Sequence, residues 1–91
     1  MGVFWAEPVD VEVEFDARVA AFVRGRVWHE SQQIEELPDG RLRMMLHVSD
    51  DWALRSWLLG FGAGVRVVRP ESLAHAIVTE LDHARAQYSP R

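Results

Sequence analysis

The side chains able to do chemistry in this chain are arginines, histidines, tryptophans and carboxylates. It contains no cysteine, so it has neither a disulfide nor a thiolate metal site or nucleophile. Every basic residue other than histidine is arginine; lysine is absent. A GC-rich genome produces that usage, and so does selection for planar, bidentate contacts to phosphate or carboxylate. Arg41 and Arg43 stand two apart on a predicted strand and therefore share a face. They could form an anion patch for a nucleic-acid backbone or for a partner's acidic residues. Asp10, Glu12 and Glu14 alternate on another predicted strand. If the two strands are neighbours, a ladder of opposite charges would use up those arginines instead. Arg55 could reach a phosphate or an interdomain carboxylate, with Asp50 and Asp51 as nearer partners. Arg24 and Arg26 flank Gly25, where cations also favour the negative end of a helix.

The other candidates point less sharply. His75 and His83 share a predicted helix but lie two turns apart, too far for the one-turn pair of a zinc site, so no metal is expected. Trp28, Trp52 and Trp57 could stack on bases, although Trp57 shares a stripe with Leu54, Leu58 and Phe61 and so reads as core. Trp5 falls in the leader and reads as a residue that docks on a neighbour. Gly60 to Gly64 follows a helix and precedes a strand, the reverse of a dinucleotide loop, and reads as a helix stop. No nucleophile motif, catalytic carboxylate pair or cofactor motif is present, so an enzyme is not expected.

These residues need elements to position them. Val9 to Phe15 alternates valine and acid, the pattern of a strand with one buried face. Asp16 is placed to cap a short helix, Ala17 to Arg24. After a connection from Val27 to Ser31, Gln32 to Leu37 reads as an edge strand, and Pro38-Asp39-Gly40 as a hairpin turn. Leu42 to Val48 alternates again. Ser49 to Asp51 offers caps for a helix from Trp52 to Phe61, and Val65 to Arg69 is a fourth strand. A last helix, with Pro70 in its first turn, runs to about Tyr88 and carries Leu73, Ala76, Ile77, Leu81, Ala84 and Tyr88 on one face. The order predicts an α+β fold: a ferredoxin-like βαββαβ sandwich with an additional C-terminal helix, the first and third strands being central, antiparallel neighbours. Residues 1–8 are expected as a leader, 9–88 as the domain and 89–91 as a tail.

The net charge of −4 argues against a free-standing duplex-DNA binder, which needs a basic surplus. No apolar run approaches the roughly 20 residues that cross a bilayer. The N-terminus lacks the basic and apolar regions of a signal peptide, so a soluble, cytoplasmic protein is expected.

Trp28-His29-Glu30-Ser31-Gln32, Glu35 to Arg43, and above all Trp52-Ala53-Leu54-Arg55-Ser56-Trp57-Leu58-Leu59-Gly60-Phe61-Gly62 followed by Val65 to Leu73, resemble the C-terminal extension (WCX) of WYL-domain transcription regulators. The resemblance implies a ferredoxin-like fold and a non-catalytic role. It implies a parent chain with a helix-turn-helix and a WYL domain, homodimerisation, and an effector that in some members is single-stranded DNA. Arg41, Arg43, Arg55, Arg24, Arg26, Trp28 and His29 are then the candidate contacts to nucleic acid or to a neighbouring domain. A small metabolite bound at a homodimer seam is the alternative. Glu30 stands where the family usually has proline. Met1-Gly2 leads us to expect an excised piece of a longer regulator.

Overall fold

The computed structural model describes residues 7–90. Trp5 and the Met1-Gly2 start lie outside them. The element order is β1 (Pro8–Phe15), α1 (Ala17–Arg24), β2 (Gln33–Glu36), β3 (Leu42–Ser49), α2 (Trp52–Leu59), β4 (Val65–Arg69) and α3 (Glu71–Ala86). The sheet order is β2-β3-β1-β4, with every neighbouring pair antiparallel. This is the expected ferredoxin-like arrangement with an added helix. The valine–acid strand and the methionine-containing strand lie side by side along their whole length, from Pro8 opposite Ser49 to Phe15 opposite Leu42.

Alternation does the sorting. Val11, Val13 and Phe15 of β1 and Leu42, Met44 and Leu46 of β3 turn inward. There they meet Ala20 and Val23 of α1, Leu54 and Leu58 of α2, and Leu73 and Ile77 of α3 in one core. The Asp16 carboxylate accepts hydrogen bonds from the Arg18 and Val19 N–H groups, and Asp51 accepts one from that of Leu54, so both predicted caps form. Asp39 and Gly40 both adopt positive φ (67° and 77°) between β2 and β3. That is the backbone hand of the tight hairpin turns that follow strand twist. Gly64 is required for a different reason. A Cβ there would lie 2.9 Å from Val19 Cγ1, and the Gly64 carbonyl accepts the Asp16 N–H at 3.0 Å.

Two expectations need correction. The helix expected to reach Phe61 ends at Leu59. Gly60 caps it and the chain tightens into a short 3-10 turn over Gly62–Gly64, although Phe61 still packs on the core. The apolar face of α3 is buried only at its start. Leu73 and Ile77 are in the core, whereas Leu81, Ala84 and Tyr88 are exposed, because the helix runs past β4 and α2, against which it packs.

Candidate functional site

The arginines predicted as anion ligands are found with carboxylates. On the sheet face opposite the helices, Glu14 receives Arg41 at 3.3 Å, Arg43 at 3.3 Å and Arg66 at 3.1 Å. Glu12 receives Arg43 at 3.2 Å and Arg69 at 2.6 Å, and Arg43 also reaches Glu35 at 3.2 Å. The register produces this, since Glu14 lies opposite Arg43 on one side and Arg66 on the other. The Glu14 side chain is only 13% exposed. Burial works to raise its pKa, but the hydrogen bonds from Arg66 and Arg43 and their positive charge outweigh it and hold the carboxyl below the ordinary glutamate value. Arg55 grips Asp50 with two bonds of 2.8 and 3.2 Å, and Arg24 grips Glu36 at 2.6 and 2.8 Å, linking the end of α1 to the edge strand.

Arg26 differs. Its guanidinium lies 4.4 Å from the Phe22 ring centroid and 5.9 Å from that of Trp28, with no carboxylate beside it. Among the described arginines, only Arg26 and Arg85 have no acidic partner.

Trp28 and His29 belong to a second arrangement. The connection after α1 is held by Gln32, whose Oε1 accepts from the N–H groups of Trp28 and His29 while its Nε2 donates to the Arg26 carbonyl. Ser31 ties the same loop to β3: its Oγ accepts the His47 N–H at 2.9 Å and lies 2.8 Å from His29 Nδ1. Trp28 donates its indole N–H to the Val23 carbonyl. Its ring lies 5.5 Å from both Phe22 and Trp57, and Trp57 and Phe61 continue the row to buried Phe15. Trp57 is half-buried at the margin of the core, and its buried Nε1–H has no acceptor among the described residues.

A groove of about 630 Å³ opens between this loop, the end of β3 and the start of α2. Leu46, Val48, Trp28 and Trp57 give it an apolar lining; Glu30, Asp51 and His29 add polar groups. Two stretches far apart in sequence, Trp28 to Glu30 and Asp51 to Trp57, thus meet at one hollow. Sequence reasoning missed Glu30, Gln32 and Asp51 as parts of a site. The two adjacent polar residues Ser31 and Gln32 after Trp28-His29 were the available signal. Trp52, by contrast, is 63% exposed, and the groove, the ladder and Arg26 do not form one site. Among the described residues, no group of three potential ligands could hold a metal ion, and no helix is long and apolar enough to cross a membrane.

A family model described as the WCX domain matches residues 7–85. The chain belongs to the WCX domain family. This agrees with the motifs at Trp28 and Trp52 and with the ferredoxin-like sheet. The WCX domain is also similar to Protein PafC of Mycobacterium tuberculosis (strains CDC 1551 / Oshkosh and ATCC 25618 / H37Rv), at 47% identity over 47 residues, 50% of this chain. To Protein PafC of Mycobacterium leprae (strain TN) it is 41% identical over 51 residues, 55% of this chain. The matched part spans only 15% of the length of these relatives.

Proposed function

We propose that this WCX domain is a non-catalytic regulatory and dimerisation module of a cytoplasmic WYL-type transcription regulator, packing on the WYL domain of its parent chain. The observation that carries this is the outer part of α3. Val78 is 54% exposed and Leu81 41% on a helix whose inner turns are anchored in the core, and Tyr88, in the turn that follows it, is 88% exposed. Apolar side chains continued past the edge of a core are those that a second domain or a second copy would cover.

A second reading, in which the domain lends arginines to a single-stranded DNA effector site, is favoured by Arg26. A stacked guanidinium without a carboxylate keeps its N–H groups for a phosphate. Arg41, Arg43, Arg55 and Arg24 would each have to exchange a carboxylate for that phosphate. The test is sedimentation velocity over a concentration series, together with titration of a labelled single strand at low and moderate salt. Self-association or binding to the WYL domain, lost in Leu81→Glu, supports the assembly role. Salt-sensitive strand binding that weakens in Arg26→Gln supports the second reading. A chain that neither self-associates nor binds the WYL domain overturns the proposal. Stabilisation by a neutral metabolite only in the dimer would favour the sensor alternative.

A further inference from the structure

We propose that the groove between the Trp28 loop and α2 is a binding site for an organic cation, a guanidinium or alkylammonium group on a short apolar stem. The inference is separate from the assembly role, since α3 does not line the groove. Three observations carry it. The first is shape and lining: the hollow of about 630 Å³ is walled by Leu46, Val48 and two indoles whose centroids are 5.5 Å apart. That volume lies in the range of small-ligand sites. Indole faces are the strongest aromatic partners for cations.

The second is charge. Glu30 and Asp51 both line the groove, and among the described residues neither has a basic partner. Glu12, Glu14, Glu35, Glu36, Asp16 and Asp50 are each met by arginine, so their charge is already used, whereas that of Glu30 and Asp51 is open to a ligand. Asp51 spends Oδ1 on the Leu54 N–H and has Oδ2 left over. The third is that, among the described residues, no arginine lines the groove: its basic groups are the imidazoles of His29 and His47, the latter already bonded to Asp10, while Arg26 stacks on Phe22 and approaches the Trp28 ring only to 5.9 Å. A phosphate or carboxylate ligand would face these two acids with no guanidinium in the groove to hold it, so the site favours positive ligands. The same chemistry could arrive as a free diamine or guanidine, or as an arginine side chain of another protein.

The experiment follows the indole Nε1–H resonances of the 15N-labelled chain at pH 8. The probes are agmatine, the peptide acetyl-Ala-Arg-Ala-amide and its neutral citrulline counterpart. Saturable shifts at Trp28 and Trp57 but not Trp52 are expected with a cationic probe, with binding at least about tenfold weaker for citrulline. The cationic probe that saturates at the lower concentration identifies the source. Glu30→Gln combined with Asp51→Asn should weaken binding at least about tenfold. Asparagine is an equally good helix cap, so the fold should persist, and the backbone spectrum checks this. Equal binding of the citrulline peptide, unchanged affinity in the folded double variant, or no saturable shift with either cation would overturn the proposal.

Discussion

Replacing Glu14 by glutamine probes the charged ladder at its centre. Glu14 Oε1 receives Arg41 and Arg66, and Oε2 receives Arg43. Glutamine retains one acceptor oxygen but places an amide donor where the other guanidinium donates, and it removes the negative charge among three positive ones. A hydrogen bond to a charged group is worth about 1.5–3 kcal/mol. The arginines around Glu14 are partly exposed and recover some water, so the expected net loss is about 1–2 kcal/mol. In a domain this small that lowers Tm by roughly 5–15 °C. The assay is urea and thermal unfolding across pH. Because the folded carboxyl titrates below its ordinary 4.5, its contribution is fully present above that value. It disappears as pH falls through the depressed folded value. The wild-type and glutamine curves should therefore run parallel near neutrality and converge in acid. A loss below about 0.5 kcal/mol at neutral pH, the level of ordinary surface substitutions, would refute the view that the ladder holds this face together.

Further outcomes are expected elsewhere in the molecule. Gly64→Ala should destabilise by about 1–3 kcal/mol, because its methyl meets the stiff Val19 side chain at 2.9 Å. Combining it with Val19→Ala should recover part of its own penalty in a double-mutant cycle by chemical denaturation. Asp51→Ala should cost about 1 kcal/mol through loss of the α2 cap whereas Asp51→Asn should be near neutral, a difference urea midpoints resolve. Leu81→Glu should change unfolding free energy by no more than about 0.5 kcal/mol, being exposed, while abolishing association in sedimentation.

Much of the fold was legible from short-range pattern. The valine–acid alternation from Val9 and the leucine–methionine alternation from Leu42 have period two and require one wet and one buried face, so two strands and their inward sides followed directly. Asp16 and Asp51 marked helix starts because few other residues satisfy free N–H groups there. The ladder was legible as an alternative to an anion patch, since only strand adjacency was needed to pair Glu14 with Arg43. What could not be read was how far an amphipathic face is covered. Leu73 and Leu81 fall within one apolar stripe of α3 about two turns apart, yet only Leu73 reaches the core, because the helix runs on past β4 and α2, against which it packs. The groove was equally hidden, as it depends on Gln32 and Ser31 folding the Trp28 loop back towards β3 and α2.

Solvent footprinting of α3 compares this domain alone, at low concentration, with the same domain in a regulator-length chain carrying the WYL domain. An assembly module should show Val78, Leu81 and Tyr88 labelled when the domain is alone and protected in the longer chain, with Leu73 protected in both. Equal labelling of Leu81 and Tyr88 in the two samples would contradict the assembly role.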